Sequence, residues 1–544
     1  MNQADAAQPG AASVISGGLT VAQRPAAASV PAKPGVVDAC LALVIALSVL
    51  AVHDVPYILS QSFWSDESWV AVTVRANVTL LPSMSESTPV GWVFLLRLVP
   101  FGGPERLRLV PLAFAGLAAA AAYFFGRELS LGRYSTGILT GAAVLLVPAI
   151  LVRNDLKQYT AEAFACVVVW VLVARVESQW RTRRVVAIAA TASLGMLLSD
   201  TVIIVGAAAM ASLAIECLIR RQYRHLAEVG AASAGMLVVA LVIYEVLVRP
   251  QVTPPLVAYW DPFYVPTRSL PAAVAFLHLR FHTLAPWMGF PSLAVDAAGT
   301  LAGIGSLVWL RRYALAAMLP IMLAILFVAS AARKYPFTDQ RTSTFWLVLI
   351  PVLIAVAVAA VGRLATALDQ RMPAVVAAGA LLVWVAVTLP YLRNHSIPPN
   401  EDVHAEVTYL QSHYRHGDVV IVNYGASYGF AYYYPPQPTF TADSATPTNH
   451  VVSYPQLPWM IVMTGGLPAN VANALATARG KIAAEPADAR GRIWIIRSHT
   501  SSAEYQEWGQ DLAGQRVTAI RVGPEPILLY TPSCSEGAHC PASG

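Results

Sequence analysis

Apolar and polar positions along the chain fall into long alternating blocks. From Val37 to Leu392 mostly apolar stretches recur, many near the roughly 20 residues that cross a hydrocarbon core as a helix. A segment in lipid must satisfy its own backbone hydrogen bonds, so these stretches are read as membrane helices. The pattern predicts a first helix from Ala39 through Val52 toward Leu59. Further spans are expected near 109–126, 136–152, 161–174, 185–199, 201–218, 229–248, 293–310, 314–332, 343–361 and 374–391. That makes about eleven crossings, an odd number that puts the termini on opposite sides. No small-residue cleavage site follows the first run, as it would follow a signal peptide.

After Leu392 the apolar runs shorten and turn residues multiply. Strand-like segments at Asp418 to Val422, Arg492 to Ile496 and Ile527 to Tyr530 alternate with helix-like ones. The expected organisation is a disordered cytoplasmic tail (1–36), a polytopic α-helical transmembrane domain (37–391) and an extracytoplasmic α/β domain (392–544). The tail is rich in Ala, Pro, Gly and Ser and has no apolar periodicity to order it.

Composition agrees: 56% apolar residues, 12% charged and a mean hydropathy of +0.55 describe an integral membrane protein. Only four of the 36 Lys and Arg residues are lysines, and no basic tract stands out, so nucleic acid is not an expected partner. Arg181, Arg183, Arg184, Arg220, Arg221, Arg224, Arg311, Arg312, Arg363 and Arg371 all fall on one side. The positive-inside rule makes that side cytoplasmic, as for a multi-pass protein of the plasma (inner) membrane. The outer side nevertheless carries Arg75, Arg97, Arg106, Arg108, Arg153, Lys157, Arg333, Lys334 and Arg341, an excess that topology does not explain. Cys40, Cys166 and Cys217 lie in or beside apolar runs and read as small buried hydrophobes. Cys534 and Cys540 are close enough in the polar tail to bridge in an oxidising compartment.

The first outer segment, Phe63-Trp64-Ser65-Asp66-Glu67-Ser68-Trp69, sets two carboxylates among aromatics beside a membrane helix. A carboxylate partly removed from water and close to cations can take a proton from an attacking hydroxyl. The same segment also suits a solvated loop with interfacial Trp anchors. Lys157 and Lys334 lie in outer loops of an otherwise Arg-rich chain. They either meet an anion or snorkel to lipid headgroups. Arg153, at the end of a span, carries the same two readings. Tyr424, Tyr428, Tyr432, Tyr433 and Tyr434 would stack on sugar rings or pack an α/β core. His278 and His282 share a helical interval, but no further metal ligand is near in sequence. Glycine-rich nucleotide loops are absent, which argues against direct use of a nucleotide sugar.

The order of outer motifs resembles the GT-C superfamily, in particular the family 39-like bacterial membrane glycosyltransferases. The resemblance covers about residues 55–350. It is carried by Trp64-Ser65-Asp66-Glu67, by Glu86-Ser87-Thr88-Pro89-Val90-Gly91-Trp92 and by Glu105-Arg106-Leu107-Arg108-Leu109-Val110-Pro111. It continues in Asp155-Leu156-Lys157-Gln158-Tyr159-Thr160-Ala161-Glu162 and in Arg333-Lys334-Tyr335-Pro336-Phe337-Thr338-Asp339-Gln340-Arg341. Glu86 stands where relatives more often carry an amide, and Val90 where many carry a second proline. The resemblance implies transfer of a sugar from a polyprenyl-phosphate carrier to an extracytoplasmic glycan, lipid or protein. Phosphate leaves without a general acid because its second pKa is about 6. In that frame Asp66 is the base, and Glu67 orients it or shares a divalent cation, Mg²⁺ or Mn²⁺. Lys157, Lys334, Arg341 and Arg153 meet the donor phosphate, while Tyr159, Glu86 and Tyr335 line the pocket. A transporter or lipid-linked-sugar flippase is the main rival, but it would place charge at mid-membrane rather than in outer loops. A non-catalytic scaffold would leave the loop motifs without purpose.

Overall fold

The computed structural model describes residues 34–84, 88–99, 103–132, 134–151, 155–337, 339–392, 401–446, 449–486 and 489–531. Most of the expected tail, Glu86, Arg153, Cys534 and Cys540 lie outside the described residues. Each of the eleven apolar runs falls on helix. Among the described residues seven helices are long and apolar enough to cross a membrane, or up to eight if the pair Leu270–Met288 and Leu293–Trp309, bent by 79°, is one span. The expected eleven thus becomes seven or eight by this measure, because Val36–Val52, Ser135–Leu145 and Thr182–Gly195 are short. Ser135–Leu145 is followed by a break before Pro148, which opens the next short helix. The Leu270–Met288 helix was not among the expected spans, since His278, Arg280, His282 and Pro286 dilute its apolar signal.

Burial separates the inner helices from the rim. Leu109–Glu128 packs between Tyr159–Ser178 and Ser135–Leu145, with Val36–Leu47 against it, and Leu293–Trp309 packs on Leu349–Leu364. Tyr223–Gln251 and Met372–Tyr391 are instead little buried and expose residues such as Leu237, Val238, Val375 and Leu382. An apolar surface of that extent is stable against lipid, not water.

The bundle has two distinct ends. At one, Arg312 donates to the carbonyls of Ala174 and Glu128, Arg220 to that of Arg311, and Arg175 pairs with Glu128 at 2.8 Å. The arginine-rich loops therefore gather there. The 20-residue Tyr159–Ser178 helix runs from this end to the other, about 30 Å away and so about one hydrocarbon thickness. At that far end lie the Asp66 segment, the loops preceding Tyr159 and Thr344, and the C-terminal region.

That region is mixed α/β. Strands β1 (Val419–Val422), β4 (Met460–Val462) and β5 (Ile493–Ile496) are parallel, while β6 (Arg516–Ile520) and β7 (Ile527–Thr531) complete the sheet antiparallel in the order β4-β1-β5-β7-β6. β2 (Thr439–Ala442) and β3 (His450–Ser453) form a separate hairpin. The three strands expected from sequence are β1, β5 and β7. The others were missed because β2 and β6 are largely exposed and β4 is three residues long. Alternation splits β1 between two cores. Val419 and Ile421 pack with Val471, Leu475 and Trp508, whereas Val420 and Val422 join Phe63, Val70, Trp92 and Phe430. The second core is continuous with the layer of short helices above the bundle, so sheet and bundle share one apolar seam.

Helix contact within the bundle sets a test of this packing. A Cβ on Gly303 would fall 2.2 Å from the carbonyl oxygen of Leu353, whereas one on Gly305 meets nothing within 4 Å. Gly303→Ala should force the two helices apart at a cost of about 1–3 kcal/mol. The purified variant should melt earlier than wild type, and Gly305→Ala should not. Equal melting of both variants would contradict the packing.

Candidate functional site

The site is built at the first turn of the Ser65–Arg75 helix. Trp64 is extended and begins the helix, and Glu67, three residues on, reaches back to the Trp64 N–H at 3.4 Å. Two carboxylates in the first turn also complement the helix dipole. Successive helical residues point about 100° apart, and here Glu67 and Asp66 part company.

Glu67 turns inward and is 1% exposed. Its Oε1 accepts from Arg108 Nε at 2.8 Å and from the Leu156 N–H at 3.0 Å, and its Oε2 from Arg108 Nη2 at 2.5 Å. Arg108 spends its other hydrogens on the carbonyls of Ile58, Gln61 and Ser62. Burial pushes the Glu67 carboxyl up, and the Arg108 guanidinium opposes that push. With donors on both oxygens, the surroundings are those of a carboxylate. Glu67 thus ties four chain segments together and does not converge with Asp66 on a shared ligand position. Among the described residues no group of three or more His, Cys, Asp or Glu could hold a metal ion. With both Glu67 oxygens taken by Arg108 and the Leu156 N–H, the Asp66–Glu67 pair does not converge on a cation, and no step is routed through one.

Asp66 faces the other way, partly exposed, with Oδ2 3.0 Å from Arg341 Nη1. Arg341 also meets Asp339 at 3.4 Å and the Tyr259 hydroxyl at 3.3 Å. Burial works against its charge, but Tyr159, Asp66 and Asp339 hold the guanidinium above its ordinary range. Trp69 follows Asp66 by three residues and so shares its helix face. Over the Trp69 ring, 5.3 Å from its centre, sits the Lys157 ammonium, 5% exposed and bonded to Thr88 Oγ1 at 3.2 Å. No carboxylate pairs with Lys157 among the described residues. One helix face thus collects Asp66, Arg341 and Lys157 from three distant loops.

A cavity of about 430 Å³ adjoins this face and is lined by Gln158, Tyr159, Glu162, Asp200, Trp260, Lys334, Tyr335 and Thr342, among others. Its wall reaches Arg341 through Thr342, the next residue, and Trp260, whose ring lies 6.0 Å from the guanidinium. Tyr335 donates to the Thr342 carbonyl at 3.0 Å, and burial with nearby Glu162 raises its phenol well above the ordinary value. Lys334 is exposed on the cavity rim. Structure therefore gathers Tyr159, Tyr335 and Lys334 at the cavity and the other described candidates along the Asp66 helix.

The tyrosine cluster does not face this site as a platform. Tyr428 and Tyr432 are buried against Trp69 and Phe63, and the Tyr433 hydroxyl accepts from the Phe63 N–H at 2.7 Å. They dock the C-terminal region onto the Asp66 segment. That docking brings in two residues the sequence reading missed. Glu401 accepts from the Ser65 N–H at 2.7 Å, and His499 lies 2.8 Å from Glu401. Nothing local marks them, because Ser65 lies 336 residues before Glu401, and Glu401 lies 98 residues before His499.

This architecture is a polytopic helical membrane region capped by short helices and a C-terminal α/β region. Among solved structures it is similar to ArnT from Cupriavidus metallidurans, both bound to undecaprenyl phosphate and in the apo state. Each aligns with a TM-score of 0.54 and 13% identity, over 91% of this chain and 97% of that chain. At that identity the likeness establishes the fold. No family model matches the sequence, and no curated protein matches it.

The Glu67–Arg108 pair yields a stability prediction. Glu67→Gln leaves a buried guanidinium without its countercharge, a loss of about 3–5 kcal/mol for such pairs. Expected is a large fall in melting temperature and in monodisperse yield for Glu67→Gln and for Arg108→Gln alike. Wild-type melting of both variants would refute the structural reading of Glu67.

Proposed function

We propose that the chain is a membrane glycosyltransferase that moves a sugar from a polyprenyl-phosphate carrier to an extracytoplasmic acceptor. The observation that carries this reading is Lys157: a buried ammonium that, among the described residues, meets a hydroxyl and an indole face and no carboxylate, beside the helix face that bears Asp66. Keeping an ion out of water costs several kcal/mol unless an opposite charge answers it, and a phosphate would do so. Snorkelling is not supported, because the side chain is turned into protein. The ArnT structure bound to undecaprenyl phosphate has the same fold and supports a lipid-phosphate donor.

In this reading the donor phosphate lies between Lys157 and Arg341, with Lys334 at the cavity rim, and its sugar enters the cavity beside Tyr159 and Tyr335. Asp66 accepts the proton of the acceptor hydroxyl as that oxygen attacks the anomeric carbon. The phosphate leaves with the bonding electron pair, its charge met by the two cations, whose effect is largest in a water-poor site. Glu67 acts at one remove by fixing the helix turn from which Asp66 projects.

Asp66→Asn keeps shape and loses the base, so transfer from undecaprenyl-phosphate sugars should fall about 100- to 10,000-fold. Lys157→Gln should weaken undecaprenyl phosphate binding about 10- to 100-fold, the worth of a charged hydrogen bond. Both are measured on monodisperse protein. Wild-type turnover in the first, or wild-type affinity in the second, removes that residue from its role.

Orientation follows from the loop arginines: their end of the bundle is assigned to the cytoplasm, and the Asp66 end with the C-terminal region to the outside. In intact cells a membrane-impermeant thiol reagent should label Gln506→Cys and spare Thr182→Cys. The reverse pattern would invert the topology.

A further inference from the structure

Strands β1 and β5 run parallel side by side, and the loop leaving the carboxyl end of β5 meets Glu401, which in turn bonds the N-terminus of the Asp66 helix. Open α/β sheets place ligands in the crevice outside such strand ends. Here the crevice is clamped by Asn423. Its Nδ2 donates to the Ser498 carbonyl at 3.1 Å and to Glu504 at 3.0 Å, and its Oδ1 accepts from the Ser498 N–H at 3.1 Å and the Ala426 N–H at 2.8 Å. Close approach requires Gly425, where a Cβ would fall 2.1 Å from the Ser498 oxygen and 2.9 Å from the His499 Cβ.

The product of this clamp is a histidine in an enforced position. His499 has φ of 53°, a left-handed conformation that a residue with a side chain keeps only where its surroundings impose it. Its Nδ1 lies 2.8 Å from Glu401 Oε1, and Glu401 Oε2 accepts from the Ser65 N–H at 2.7 Å. One buried carboxylate therefore joins the imidazole to the helix turn that carries Asp66. The ring is 57% exposed, and its Nε2 has no hydrogen-bond partner among the described residues. A carboxylate on Nδ1 with Nε2 free is the arrangement that makes an imidazole an oriented proton acceptor.

We propose that His499, oriented by Glu401, receives the proton that Asp66 takes from the acceptor hydroxyl, so that the C-terminal region takes part in each turnover. This rests on the glycosyl-transfer reading above. In one cycle the acceptor O–H bond breaks and its oxygen bonds the anomeric carbon. The bond from that carbon to the phosphate oxygen breaks, and its electron pair stays on phosphate. The proton, first on Asp66, leaves that side chain neutral and forfeits its ion pair with Arg341. Passing it to His499 Nε2 restores the pair, and the half-exposed ring then releases it to water. The charged groups acting on the ring are Glu401, Asp66 and Arg341. The Glu401 hydrogen bond raises its proton affinity, burial opposes this, Asp66 adds to the rise and Arg341 subtracts, leaving the imidazole above its ordinary value.

Two measurements on the full chain in lipid nanodiscs test this. The first needs no substrate: carbethoxylation of His499 by diethyl pyrocarbonate, followed by mass spectrometry against pH, reports when the ring loses its proton. Asp66→Asn should move that midpoint to lower pH and Arg341→Gln to higher pH. An unmoved midpoint in Asp66→Asn overturns the coupling. The second is sugar transfer by His499→Asn, chosen because Asn tolerates the left-handed backbone. Its kcat should fall about tenfold or more with undecaprenyl phosphate binding unchanged. Wild-type activity rises with pH as the ring becomes neutral, and the variant should lose that limb, with partial rescue by added imidazole. A wild-type kcat and pH profile in His499→Asn overturns the relay. Undiminished transfer by Asp66→Asn in the same assay would instead overturn the base assignment beneath it, and the midpoint shift would still decide whether His499 senses Asp66.

Discussion

The Asp66 end of this protein hangs on one buried ion pair. Taking a carboxylate and a guanidinium out of water costs several kcal/mol for each, and their attraction offsets this only when the remaining lone pairs and hydrogens are used. Glu67 and Arg108 meet that condition. The guanidinium spends its hydrogens on Glu67 and on three carbonyls of the 58–62 turn, and the Leu156 N–H completes the carboxylate. Four segments, the 58–62 turn, the Asp66 helix, the start of the Leu109–Glu128 span and the 155–157 loop, are thereby locked in one register. With Glu67 pointing inward, helical geometry leaves Asp66 facing Arg341 and Trp69 facing Lys157. The face that carries Asp66 is a consequence of the strut behind it.

The same bonds account for the outer cations that disturb the positive-inside count. Arg108 is a strut. Arg75 lies 3.7 Å from the centre of the Tyr432 ring, Arg97 donates to the Ala76 carbonyl and Arg333 pairs with Asp261. These arginines are engaged with protein, which leaves them little to offer a ligand. Lys157 differs by lacking a charged partner among the described residues, and Arg341 by pairing with the partly exposed Asp66. Counting charges by loop treats all of these alike, whereas their partners set Lys157 and Arg341 apart from the rest.

How much of this was legible in the chain depends on range. The apolar runs gave the helices, because periodicity and length are local, and β1, β5 and β7 were readable as short apolar runs between turn residues. Asp66, Arg341 and Lys157 were picked out through motif order. Opposite roles for Asp66 and Glu67 were not legible, since adjacent carboxylates look equivalent until the position of Arg108 is known. Glu401 and His499 left no trace, because Glu401 matters through its bond to the distant Ser65 and His499 through its bond to Glu401. The tyrosine cluster was visible, and its packing reading agrees with Tyr428 and Tyr432 being buried.

A helix N-terminus leaves backbone N–H groups unpaired, and on an exposed loop water would satisfy them. At the Asp66 helix the C-terminal region supplies the Glu401 carboxylate to Ser65 N–H, and just before the helix the Tyr433 hydroxyl to Phe63 N–H. The Ser62 hydroxyl in turn donates to Asp402 at 2.8 Å. Beneath these bonds the apolar seam from Phe63 and Trp92 to Val420, Val422 and Trp494 runs unbroken. Without the C-terminal region, the turn that aims Asp66 would lose its satisfied donors and much of its dry floor at once. The bundle contributes the cations and the cavity, the sheet contributes the orientation of the carboxylate, and the site exists where the two are pressed together.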